Sequence, residues 1–216
     1  MLDTRQYRTD QPCGDGLDPR ETCPESLDPA ATMTGPEQER WLLEGLVRSR
    51  AIWNVIAQQT MLAEYDFTPA PGATLFNMDQ WDGYVAARNR LLRFLMDQHP
   101  RNPIVLTGDI HSSWVHDIKR NFDDPASETV GTDLVGTSIS SDFPSAFIAP
   151  VLAALRDNPH TKFFDGQYRG YVRCELTPEM WRADFRAVPT ILDDQVDAFT
   201  LASFIVADGQ PGAVRA

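Results

Sequence analysis

The sequence predicts a layered α/β fold, and three features carry that expectation. An amphipathic segment at 83–98 is followed by a proline break and then by the buried-strand pattern Ile104-Val105-Leu106-Thr107. A shorter apolar run at 52–57 precedes that helix and completes a strand–helix–strand order. Beyond residue 130 the texture turns β-rich. At 216 residues, 42% of them hydrophobic, the chain is long enough for one sizeable core, a single domain or a large part of one.

The elements follow in order. Residues 1–35 are dominated by Asp, Pro, Gly and Thr and read as an irregular segment packed on something larger. TGPE at 34–37 reads as a helix start, with Thr34 as cap, Pro36 in the first turn and Glu37 three residues on. Trp41, Leu42, Gly45 and Leu46 share the i, i+4 spacing expected of a buried face, through about Arg50. The run at 52–57 reads as a central strand, and 60–80 as mostly loop. In the second helix Tyr84, Ala87, Leu91, Phe94 and Leu95 make the inner side; Arg88, Arg90, Arg93 and Asp97 are read as its wet side. PRNP at 100–103 ends it. Later strand candidates are 134–139, 170–176, 181–188 and 198–206, and a turn at TPEM (177–180) joins the middle pair into a hairpin. One domain is therefore expected, divided into an irregular segment (1–35), a strand–helix–strand region (36–116) and a β-rich region (130–206).

Net charge is -12, from 31 acidic and 19 basic residues. That balance argues against nucleic acid as a partner and suits a cation binder only weakly. No stretch approaches the roughly 18 apolar residues of a membrane span, and MLDTR at 1–5 lacks the apolar core of an export signal. Cys13 and Cys23 lie in a loop without a core of its own. A small disulfide there implies an oxidising compartment; a zinc clip lacks both a CxxC and a nearby His. Cys174, in a strand-like run, reads as a small buried hydrophobe.

The sharpest local feature is LTGDIH at 106–111. A buried strand ends in Gly108, and Asp109 and His111 follow two apart. In an extended segment they would point to one side, beyond the carboxyl end of a strand where α/β sheets hold ligands. Carboxylate oxygen plus imidazole nitrogen suits a divalent or trivalent metal. The plainer reading is a loop Asp capping backbone N–H groups beside a hydrogen-bonded His, and spacing alone does not separate the two. NMDQWDG at 77–83, with Asp82, bunches oxygen ligands but departs from the DxDxDG register, so a turn and helix start suits it better than calcium. GTSIS at 136–140 is only loosely a nucleophile elbow, and Ser138 with His111 or His116 is the weaker, serine-hydrolase reading. His99, His160, Asp193 and Asp194 read as surface residues.

GDIHSSW at 108–114 resembles the last metal-binding motif of PhoD-like alkaline phosphatases, in the calcineurin-like metallophosphatase superfamily. Six further segments resemble that family in its order: LDTRQYR (2–8), GPEQERWL (35–42), WNVIAQQ (53–59), DQWDGYVAARNRLL (79–92), VGTDLVGTSISS (130–141) and RGYVRCELTPEMWRADFRAV (169–188). The resemblance covers nearly the whole chain, and seven segments in order are far more specific than any one.

What the resemblance implies is an α/β sandwich of two β-sheets flanked by helices, of which this chain is the C-terminal half. It implies a multinuclear centre of calcium and iron that hydrolyses phosphate esters, as an alkaline phosphatase or phosphodiesterase of an exported family. Asp109 and His111 would be metal ligands. Gln58 or Gln59 stands where many relatives in the superfamily present a metal-binding His, so either is a candidate ligand or simply a polar strand end. His116 and Asp82 are weaker candidates, beside or behind the site. The family's other ligands, a Cys, a GDxxY-type segment and a DDHE/Asn segment, precede everything seen here, and Cys13 and Cys23 follow LDTRQYR and cannot replace the ligand Cys. The expectation is therefore weak or absent hydrolysis by this chain alone, with the N-terminal half as its missing partner. The alternative is a non-catalytic fragment that binds another polypeptide.

Overall fold

The computed structural model describes residues 1–68 and 74–216; the part of the expected 60–80 loop at 69–73 lies outside the described residues. Its first sheet has five strands in the order β1-β2-β4-β3-β5. These are β1 (Asn54–Ala57), β2 (Pro103–Thr107), β3 (Ser113–Lys119), β4 (Thr129–Val135) and β5 (Thr161–Asp165). β1, β2 and β4 run parallel, and β3 lies antiparallel between β4 and β5. The second sheet is an antiparallel meander of β6 (Arg169–Leu176), β7 (Met180–Val188), β8 (Phe199–Ala207) and β9 (Gln210–Arg215).

β2 shows why the layers form. Side chains alternate across a strand, and Ile104 and Val105, both fully buried, enter different cores. Val105 joins Ile56 and Ile118 under Leu42 and Leu46 of α1 (Pro36–Arg48) and Leu91, Leu92 and Leu95 of α2 (Val85–Gln98). Ile104, with Val115 and Leu134, meets Trp181, Phe185 and Phe204 of the second sheet. Burial on both faces explains an unbroken apolar strand rather than an alternating one. Each large side chain so buried contributes about 1.5–3 kcal/mol. The strand–helix–strand order, the 177–180 hairpin turn and the strands near 170–176, 181–188 and 198–206 are all present.

Several local expectations are corrected. α1 is entered through Gly35 at φ 75, with no side-chain cap from Thr34; a left-handed residue there favours glycine. Trp41 and Gly45 are exposed, because the buried stripe holds only Leu42 and Leu46. β1 is an edge strand rather than a central one, pairing with β2 alone, and Val55 is exposed on it. β4 ends at Val135, so 136–140 leaves the sheet. The first sheet draws strands from both the 36–116 and 130–206 regions. Three strands went unrecognised (β3, β5 and β9), as did the short helix α3 (Ile148–Ala154).

Residues 1–35 contain no helix or ladder strand, only an isolated bridge between Arg20 and Phe76. The segment is nevertheless packed down, with Leu2, Thr4 and Met33 buried. Cys13 and Cys23 are joined by a disulfide with Cα atoms 5.7 Å apart, which closes the loop that has no core. Cys174 is free and half-buried beside the inter-sheet core, not fully enclosed.

Candidate metal centre at the ends of the parallel strands

The chain leaves β1, β2 and β4 at the same end of the first sheet, and the backbone ties these exits together. Gly108 N–H donates to Gln59 O at 2.9 Å, and Gly136 N–H to Thr107 O at 2.9 Å. Asp109 and His111 sit in the exit from β2 and line one cavity of roughly 560 Å³ together with Arg5, Asp79, Gln80 and Asp142. The extended backbone expected for GDIH is not what brings them there. Asp109 has φ 67 and His111 φ 59, both left-handed, and Ile110 N–H turns back to Gly108 O at 2.7 Å. A left-handed non-glycine residue costs about 1–2 kcal/mol, and such strain concentrates at functional sites.

Neighbours hold that tight turn in place. The carbonyl of His111 accepts from Thr137 Oγ1 and from Arg169 Nη1, each at 3.1 Å. Arg169 is buried and also donates to Ser141 O and Gly166 O, at 2.8 and 2.7 Å. His111 Nδ1 faces the carbonyl of Asp142 at 3.2 Å. A carbonyl can only accept, so Nδ1 carries a proton, and this contact selects the tautomer whose Nε2 lone pair a metal-binding His uses.

Asp109 is anchored on one oxygen only. Oδ2 accepts from Arg5 and from Gln80 Nε2 at 3.1 Å, and among the described residues no partner meets Oδ1. Arg5 also forms a two-pronged pair with Asp79, both contacts 2.8 Å, and Arg8 reaches Asp79 as well. Burial works against the charge on Asp79, but Arg5 and Arg8 together hold its carboxyl below the usual range. Burial likewise opposes the Arg5 charge, and its bonds to Asp79 and Asp109 prevail and raise its pKa. Neither Arg5 nor Arg169 stood out in the sequence. Arg5 lies 104 residues from Asp109 in an irregular segment, where no periodicity marks a side chain as inward.

Asp18, Asp79, Asp109 and Asp142 line the cavity with one arginine, Arg5. This excess of negative charge repels an anionic ester unless a cation offsets it. Oδ1 of Asp109 and Nε2 of His111 are suitable oxygen and nitrogen donors for one. They are two donors where a catalytic metal takes three or more from protein, and no group of three His, Cys, Asp or Glu suited to a metal occurs among the described residues. The donor types suit a metal, and the set present among the described residues does not complete a site for one.

The other candidates fall outside it. Gln59 is fully engaged, accepting from Thr4 N and Oγ1 and donating to Leu2 O. Gln58 Oε1 accepts from Trp81 Nε1 at 2.9 Å and its buried amide nitrogen has no partner. Flipping that amide would set two donors against each other, so its oxygen is turned to Trp81, and Gln58 is not among the described residues lining the cavity. Asp82 is buried against Arg88, which is not on a wet face but inside, between Asp82 and Glu64. His116 is fully buried on β3, stacked on Trp114, with Nδ1 on Thr161 Oγ1 at 3.0 Å; burial first and then His160 push its pKa well down. His160 is also buried, with Nε2 on Glu64 O at 2.7 Å, which corrects its reading as a surface residue. His99 is exposed, as are Asp193 and Asp194. The Ser138 hydroxyl donates to Ser141 O rather than to a histidine, so no serine triad forms. The 77–83 segment is a turn leading into a short 3-10 helix with its carboxylates paired to arginines, not a calcium loop.

Two packed sheets with flanking helices, and ligand-type residues at the ends of parallel strands, define a metallophosphatase-type fold. The comparisons are specific: the PhoD-like phosphatase family matches residues 1–185, and the chain belongs to that family. It is 42% identical over 213 residues to alkaline phosphatase D of Bacillus subtilis (strain 168), a match covering 98% of this chain and 36% of that protein. The solved structure of PhoD superposes with a TM-score of 0.89 at 40% identity, over 99% of this chain and 40% of the other. The chain thus spans little more than a third of the length of the curated relative it matches.

Proposed function

We propose that this chain supplies Asp109 and His111 to a metal centre that hydrolyses phosphate esters, the remaining ligands coming from polypeptide outside these 216 residues. The observation that supports it most is the pairing of an unpartnered Asp109 oxygen with an imidazole in the metal-binding tautomer, on two left-handed residues lining one cavity. A cation bound there, calcium or iron by family resemblance, would polarise the phosphoryl oxygens and acidify a water for attack. Arg5 and Gln80 fix the Asp109 carboxylate, and the Asp142 carbonyl fixes the imidazole. Hydrolysis by this chain alone is weak, because two protein ligands hold a catalytic metal poorly. The Cys13–Cys23 disulfide favours an exported location; no helix among the described residues is long and apolar enough to cross a membrane.

Metal analysis and para-nitrophenyl phosphate hydrolysis test the proposal, on this chain and on a version extended to the length of its relatives. Asp109→Asn and His111→Ala in the extended protein are each expected to lower metal content and turnover together, by roughly a hundredfold or more in rate. Full metal and full activity in His111→Ala would overturn the assignment.

A further inference from the structure

The polar groups make up only part of the cavity lining. Much of the rest is apolar, built around Leu17, Phe143 and Phe147. Leu17 is 71% exposed and Phe147 37% exposed, in a wall directly continuous with Asp109 and His111. Phe143 is firmly backed. Its ring meets Phe164 edge-on at 5.9 Å between centroids, and Phe164 in turn packs on the buried Trp114 at 4.3 Å. Residue 166 is glycine where a Cβ would come within 2.8 Å of the Phe143 ring, so the ring lies against bare backbone. Phe147 extends this series of rings toward solvent, 6.4 Å from Phe143.

Exposed apolar side chains beside a charged centre are costly unless something covers them. Small-molecule sites have this composition, mostly apolar walls with a few fixed polar groups. We infer that the substrate is an ester of an apolar alcohol, its leaving group seated on Leu17, Phe143 and Phe147 while the phosphoryl group faces Arg5, Asp109 and His111. The inference rests on the phosphoester reading above and adds the leaving-group class. We take the substrate as the occupant because one cavity holds both halves and the aromatic wall is braced from the core. Polypeptide from outside these residues covering the wall instead would leave the ester preference tested below near one.

Benzyl phosphate and ethyl phosphate test it, since their leaving alcohols are similar in acidity and differ in apolar surface. In the metal-loaded extended protein, kcat/KM is expected to favour benzyl phosphate roughly tenfold. Phe147→Ser combined with Leu17→Ser should bring that ratio to about unity. A readout without turnover accompanies it: saturation-transfer NMR on the metal-free extended protein should show benzyl alcohol, but not ethanol, contacting the protein, with the signal lost in the double variant. A ratio near one in the parent, a ratio unmoved by the two substitutions, or no benzyl alcohol contact each overturns the inference. Full turnover of both esters by Asp109→Asn would instead overturn the metal-centre reading.

Discussion

Asp79 and Asp82 stand three residues apart in sequence and belong to two ionic clusters of opposite character. Asp79 turns toward the cavity, where it holds Arg5 against Asp109. Asp82 turns inward, where it and Glu64 enclose the guanidinium of Arg88. In the inner cluster the Asp82 and Arg88 side chains are almost fully buried, and Asp82 spends its other oxygen on the Tyr65 N–H. At the cavity, Asp109 keeps one oxygen and His111 one nitrogen unspent. The inner cluster is closed around a buried guanidinium, with Arg88 Nε left without a partner among the described residues, whereas the outer one lies along a cavity wall.

The largest way to sharpen that contrast is to break the inner cluster. Burial raises the pKa of Asp82 while Arg88 pulls it the other way, so removing the cation leaves two poorly solvated carboxyls. Arg88→Ala is expected to cost about 3–5 kcal/mol of stability, read as a lower midpoint in chemical denaturation. If the loss is below 1 kcal/mol, on the order of an exposed pair, the inner cluster is not structural.

Asp133 gives a smaller and pH-resolved contrast. This fully buried carboxylate accepts from the N–H groups of Leu62 and Ala63 and from Thr107 Oγ1, at 2.9, 3.1 and 3.1 Å. Burial raises its pKa from 3.8 to about 6 despite those bonds. The native state then holds the proton more tightly than the unfolded chain. Its stabilising contribution is complete below pH 3.8 and is lost as pH rises through about 6. Asp133→Asn keeps an oxygen for the two N–H groups and an amide for Thr107, without the charge. Measured at pH 4 and pH 7, the stability difference between parent and variant should move by up to about 3 kcal/mol against the parent. A pH-independent difference would show that Asp133 ionises normally.

How much of this was legible in the sequence depends on whether a residue's role is local. The β2 strand, the helix before it and the β6–β7 hairpin announce themselves through periodicity and turn chemistry, and all are present. β4 lies earlier than the expected 134–139 because Gly131, Thr132 and Asp133 break up its apolar pattern; it sits between β2 and β3, and its Val130, Leu134 and Val135 reach the cores. β9 carries Pro211 and Gly212, which read as loop. Arg88 looked wet because charge on a helix normally is, and its partners Glu64 and Asp82 come from another segment and the preceding turn. Asp109 and His111 were legible as a pair, but for the wrong backbone. Their motif pointed to a site, whereas the left-handed turn is imposed by Arg169, Thr137 and neighbouring strand exits.

That turn allows the finest test of the contrast between the enclosed cluster and the cavity wall. His111 at φ 59 bears a conformational penalty that glycine does not. Its side chain is exposed and makes one hydrogen bond, to Asp142 O, so little packing is lost when it is removed. The carbonyl that Arg169 and Thr137 grip belongs to the backbone and survives the substitution. Relief of strain, set against the greater freedom of glycine in the unfolded chain, leaves a net gain of up to about 1 kcal/mol. His111→Gly is thus expected to denature at slightly higher denaturant than the parent while the extended protein loses its metal. His111→Ala, which keeps the Cβ and its strain, should show the metal loss without the gain. Should His111→Gly prove less stable than His111→Ala, the left-handed turn is not strained, and His111 belongs with the residues whose bonding serves the fold.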